Sequence, residues 1–102
     1  LTGYFESKGY TCETAFNGED ALEKIKLFTP KLILLDIILP DISGYDVCKQ
    51  VKSKAKIKKI PIYYITAVTP TEVKDHINET KAEGYFIKPF KMGDFDVLFS
   101  YL

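Results

Sequence analysis

The sequence predicts an α/β fold: an open parallel sheet with helices packed on both faces. Two short runs, Leu32–Leu35 and Ile60–Ile65, are largely apolar at successive positions, as strands buried on both sides must be. Around them lie stretches with helical apolar spacing, so helix and strand alternate along the chain. Three strands also end on a polar residue, at Asp36, Thr66 and Lys88. Ligands of such sheets bind at the carboxyl ends of the strands, so these three residues mark one candidate edge.

Leu1–Gly9 reads as the tail of a helix, with Gly9 as a left-handed C-cap. Tyr10–Phe16 mixes apolar and polar positions, which predicts an edge strand with one exposed side. Asn17-Gly18 is a turn, and Glu19-Asp20 place acids on the first turn of a helix, where the dipole favours them. That helix carries Ala21, Leu22, Ile25 and Phe28 on its inward face, and Pro30 stops it. After the strand Leu32–Leu35, Gly44–Lys54 forms a second amphipathic helix with Val47, Cys48 and Val51 inward. The strand Ile60–Ile65 ends in Thr66. Pro70-Thr71-Glu72 opens a third helix with Val73 and Ile77 inward. Tyr85-Phe86-Ile87 is a short strand ending at Lys88-Pro89, and residues 91–102 close as a helix bearing Phe95, Leu98 and Phe99.

Composition bounds the function. With 102 residues, 46% of them hydrophobic and 27% charged, the chain is one ordinary globular domain rather than a disordered one. Fourteen lysines and no arginine balance fourteen acids, so there is no overall footprint for nucleic acid or an anionic membrane. Without arginine, any phosphate chemistry falls to lysine or the backbone. Cys12 and Cys48 lie far apart in no metal-like spacing and read as reduced thiols. The most apolar run, Leu32–Leu39, is interrupted by Asp36 and too short to span a bilayer, so the expected location is the cytoplasm. Lys49–Lys59 holds six lysines in eleven residues, either a solvated helix end and loop or a docking patch for an acidic partner. His76 reads as a surface histidine.

The run DIILPDISG (Asp36–Gly44), followed by Thr66-Ala67 and by YFIKPF (Tyr85–Phe90), resembles the receiver domain of two-component response regulators. The resemblance covers essentially the whole chain. It implies a flavodoxin-like, doubly wound parallel sheet of five strands in the order 2-1-3-4-5, with the first strand missing from this chain. It also implies that Asp36 is the phosphoacceptor, taking a phosphoryl group from a histidine kinase or phosphotransfer protein. Lys88 then brings a cation to the phosphoryl oxygens and Thr66 a hydrogen bond. Tyr85 matches the switch aromatic that turns inward when Thr66 moves. The implied cofactor is Mg²⁺, with Asp36 and the backbone carbonyl of Ile38 among its ligands. Pro40 and Gly44 are expected to shape the loop, one by fixing φ and the other by permitting conformations closed to other residues. The Lys88-Pro89 bond is expected to be cis. Ile38 and Val68 flank the site, and as apolar residues they predict a long-lived phosphoryl state.

One feature of the family is absent. Receivers carry an acidic pair after their first strand, and this chain begins in what reads as the first helix. Judged from typical element lengths, roughly twenty residues are missing, so the domain, residues 1–102, is expected to be truncated at its N-terminus. Neither Asp41 nor Asp46 is placed to substitute. Three explanations stay open: a piece of a longer chain (the favoured one), a strand supplied by another copy, or a divergent receiver that no longer binds metal. The expected function is a signalling switch, not an enzyme with turnover, that aids only its own phosphorylation and dephosphorylation. The alternative is a pseudo-receiver acting as a phosphorylation-independent interaction module. An aspartyl-nucleophile hydrolase of the haloacid-dehalogenase type is excluded, because Ile38 stands where its acid/base Asp belongs. The expected output face comprises the third helix, the last strand and the last helix, with Val73, Ile77, Tyr85 and Phe95 on or beneath it. That face is also the candidate homodimer surface. No direct contact with nucleic acid or membrane is expected.

Overall fold

A computed structural model describes residues 1–67 and 69–102. Its elements run α1 (Thr2–Ser7), α2 (Gly18–Phe28), β1 (Ile33–Leu35), α3 (Gly44–Lys52), β2 (Ile62–Thr66), α4 (Pro70–Thr80), β3 (Gly84–Ile87) and a C-terminal 3₁₀ helix (Met92–Tyr101). The helix starts follow the chemistry of their caps. Asn17 accepts from the Asp20 N–H, Ser43 from Tyr45 and Thr69 from Glu72, each taking up a donor that the first turn cannot satisfy internally.

The three strands form one parallel sheet in the order β1-β2-β3. Ile33 pairs with Ile62 and Leu35 with Tyr64, while Tyr64 pairs with Tyr85 and Thr66 with Ile87. Successive side chains go to opposite faces and build two cores. Ile33, Leu35, Ile62 and Tyr64 pack with Ile25 of α2, Val47, Cys48 and Val51 of α3, and Val73 of α4. Leu32, Leu34, Tyr63, Ile65 and Phe86 face the other way, onto Phe5 of α1 and Phe95 and Leu98 of the 3₁₀ helix. Helices therefore cover both faces, as predicted.

Several local expectations need correction. Tyr10–Phe16 forms no strand, and Phe16 is 84% exposed. In the implied strand order this segment pairs with a first strand, which the sheet here does not include. An extended segment without a ladder partner leaves its backbone groups to water. Helix α3 ends at Lys52, and the chain then folds through turns in which Ile57 N donates to Lys54 O and Ile60 N to Ile57 O. Ile57 and Ile60 are buried and anchor that turn. Phe28 points outward, 53% exposed, because α2 ends there and Thr29 turns the backbone left-handed (φ 47°). The closing helix is 3₁₀ rather than α. At three residues per turn its two fully buried side chains, Phe95 and Leu98, fall on one line.

Candidate functional site

β1 delivers Asp36 to the carboxyl edge of the sheet, and β3 delivers Lys88 to the same edge one strand beyond β2. The Lys88 Nζ lies 3.4 Å from Asp36 Oδ2, with the two side chains 45% and 35% exposed. A pair this open is worth about 1 kcal/mol at most, so its significance is placement and charge rather than stability. The other carboxylate oxygen, Oδ1, accepts from the backbone N–H of Ile38 at 3.1 Å. Asp36 is thus fixed on one side by its own loop and faces a cation on the other.

Thr66 ends β2 between them and is fully buried. Its carbonyl accepts from the Lys88 N–H at 2.7 Å, so the strand carrying Thr66 also seats the backbone of Lys88. The Lys88-Pro89 peptide bond is cis. Tyr85 is half-buried in β3, opposite Tyr64, and packs on the core beneath α3 and α4. Ile38 is 71% exposed beside Asp36. Val68, the other expected flanking residue, lies outside the described residues.

The loop that holds Asp36 depends on Gly44, though not for the expected reason. Gly44 has no left-handed backbone. Its role is close approach: a β-carbon there would stand 2.1 Å from the Asp36 carbonyl oxygen and 2.8 Å from Ile37 Cα. The Gly44 N–H also donates to Ile37 O at 2.8 Å. Pro40 sits exposed at the turn between these contacts.

Asp41, discounted above as a metal ligand, ties this loop to α2. Its Oδ1 accepts from Gly18 N at 2.7 Å and its Oδ2 from Glu19 N at 3.0 Å. Those backbone bonds hold its pKa below the ordinary carboxylate value. Both acceptor oxygens are spent on the start of a helix, which the dipole reinforces. The pairing is tertiary, so only the unsatisfied N–H groups at the start of α2 signal it in the sequence. His76 is only half-exposed: it stacks on Tyr45 with ring centroids 4.0 Å apart and lies near Glu79.

Magnesium asks for near-octahedral oxygen ligands. The Asp36 carboxylate and the backbone carbonyl of Ile38 are oxygen donors of that kind in the loop that follows β1. Among the described residues no group of three or more His, Cys, Asp or Glu could hold a metal.

Comparisons with known proteins agree with this architecture. The family model for the response regulator receiver domain matches residues 1–98. The chain is 34% identical over 98 residues to the polar-differentiation response regulator DivK of Brucella anthropi, covering 95% of this chain and 80% of that one. Its fold superposes on the chemotaxis protein CheY4 of Vibrio cholerae with a TM-score of 0.89 at 28% identity, covering 99% of this chain and 85% of that one. The receiver domain of the sensor histidine kinase PA1611 of Pseudomonas aeruginosa, whose structure has a magnesium ion in the active-site cleft, shares the fold at TM-score 0.83 and 22% identity, covering 94% and 79%. The chain spans about a third of the length of the transcriptional regulators among its relatives. No helix among the described residues is long and apolar enough to cross a membrane. Carrying the family's match across nearly its whole length on a parallel sheet with helices on both faces, the chain belongs to the response regulator receiver domain family.

Proposed function

We propose that the chain is a phosphoacceptor switch in which Asp36 takes a phosphoryl group from a phosphohistidine on a histidine kinase or phosphotransfer protein. The observation that carries this reading is the approach of Lys88 to Asp36 across β2, on an edge open to a partner. An Asp36 carboxylate oxygen attacks phosphorus, the P–N bond breaks, and its electron pair returns to the imidazole nitrogen of the donor. Such transfer depends on positioning and charge neutralisation, which Lys88 supplies to the phosphoryl oxygens. The Ile38 N–H, already on the carboxylate, orients the nucleophile.

Thr66 offers its hydroxyl to a phosphoryl oxygen when the end of β2 shifts, and Tyr85 turns inward as Thr66 moves. The output face is then the one built by α4, β3 and the 3₁₀ helix, which is also the candidate homodimer surface. Asp36 and the Ile38 carbonyl would hold a magnesium ion at this edge, and the ion would supply positive charge to the phosphoryl oxygens. The domain assists its own phosphorylation and dephosphorylation and turns over no other substrate.

Intact mass after incubation with acetyl phosphate and Mg²⁺ tests this, with Asp36→Asn as the control. One added phosphoryl group, lost in the variant, supports the reading; no addition to the wild-type protein refutes it. The second reading, a phosphorylation-independent interaction module, draws on the lack, among the described residues, of a group of three or more His, Cys, Asp or Glu able to hold a metal. It requires partner binding to be indifferent to Asp36→Asn.

A further inference from the structure

The zero net charge conceals a local excess of lysines. Asp36 marks the carboxyl end of the sheet. The opposite end is where Lys31 leads into β1 and Lys59-Ile60-Pro61 into β2, with Pro61 O accepting from Ile33 N. The turn from Lys54 to Lys59 and the end of α2 meet at this pole. Lys49 is paired with Glu79, and Lys52, only 7% exposed, is held by Glu83 and the carbonyls of Lys58 and Ile60. Those two lysines are used by the fold. Among the described residues, Lys26, Lys31, Lys54, Lys56, Lys58 and Lys59 have no carboxylate in ion-pair reach. The Lys26 ammonium beside Lys54 pushes the Lys54 pKa down, as two cations sharing one place must. Next to Lys26 on α2, Leu27 and Phe28 stand 76% and 53% exposed.

From this juxtaposition of unpaired lysines and exposed Leu27 and Phe28, we propose that the pole opposite Asp36 docks an acidic polypeptide segment carrying large apolar side chains. Charge complementarity sets the sign of the partner, and the two exposed apolar groups set its second requirement. Nucleic acid fits less well, because a chain without arginine has no bidentate fork for phosphates or base edges, and Leu27 finds no counterpart there. A lipid surface fits less well too. Two side chains bury less than one myristoyl chain, itself only a marginal anchor. A partner bound here leaves Asp36 uncovered, so docking and phosphoryl transfer are compatible, and the proposal does not depend on Asp36 chemistry.

The test is fluorescence anisotropy with a labelled peptide of repeated Glu-Glu-Leu triplets, titrated with the intact protein. Poly-glutamate, duplex DNA and phosphatidylserine vesicles serve as rival probes. Lys54→Glu with Lys58→Glu should weaken the peptide about tenfold, equivalent to about 1.4 kcal/mol. Leu27→Ser with Phe28→Ser should abolish the preference for the peptide over poly-glutamate. Lys74→Glu, an exposed position of α4, should leave binding unchanged, and circular dichroism checks that each variant folds. Equal weakening by Lys74→Glu, tighter binding to DNA or vesicles than to the peptide, or no peptide binding would each overturn the proposal.

Discussion

A β-carbon on Gly44 would stand 2.1 Å from the carbonyl oxygen of Asp36. The obstacle is backbone, which cannot rotate away, so Gly44→Ala must push α3 off the loop that carries Asp36. The expected cost is about 3 kcal/mol, at the upper end for overpacking, read as a lower urea midpoint with unchanged m-value. A cost within experimental error would mean that the loop is not held by this contact.

Asp41 should make a pH-dependent contribution. Its folded pKa lies below the ordinary carboxylate value, so the folded state binds this proton less readily than the unfolded chain. Its stabilisation is therefore complete above the unfolded pKa and is lost as pH falls through the depressed folded value. Asp41→Asn should lower the melting temperature by a few degrees at neutral pH, and the gap to wild type should close under acid. A gap that persists at the acid end would assign the effect to packing instead.

Two neighbouring tyrosines should respond in opposite ways. Tyr64 Oη donates to Thr80 Oγ1 at 2.7 Å, and Thr80 Oγ1 donates to His76 O at 2.7 Å, inside the core under α4. Thr80→Val strands the Tyr64 hydroxyl and should cost about 1–3 kcal/mol. Adding Tyr64→Phe to that variant should recover part of the loss, a coupling that a double-mutant cycle measures. Tyr45 Oη is buried with no hydrogen-bond partner among the described residues, so Tyr45→Phe should be neutral or stabilising by about 1 kcal/mol.

Lys52 should behave unlike the other lysines of its run. Its ammonium joins α3 to Glu83 and to two carbonyls of the turn leading into β2. Lys52→Met should cost about 2 kcal/mol because three acceptors lose their donor, tempered by the partial exposure of Glu83. Lys56→Met, by comparison, should be silent in thermal denaturation.

What the sequence made legible was whatever depends on local periodicity and on strand ends. Val47, Cys48 and Val51 recur at helical spacing, and all three are fully buried. Asp36, Thr66 and Lys88 each follow an apolar strand, and the parallel register carries them to one edge. Contacts set by tertiary approach were not legible. Asp41 reaches α2 across a loop, Gly44 is required by a neighbouring backbone, and Tyr45 meets His76 between two helices. The Tyr10–Phe16 pattern fits a strand, but a strand also needs a neighbour, which no side-chain pattern within it can supply.

The most direct test of the central claim is to locate the phosphoryl group. The intact protein is treated with acetyl phosphate and Mg²⁺, trapped with borohydride, which reduces an aspartyl phosphate to homoserine, and mapped by peptide mass spectrometry. Homoserine at position 36, and no conversion at Asp41 or Asp46, is the predicted result. Conversion at either of those residues, or none anywhere, would contradict Asp36 as the phosphoacceptor.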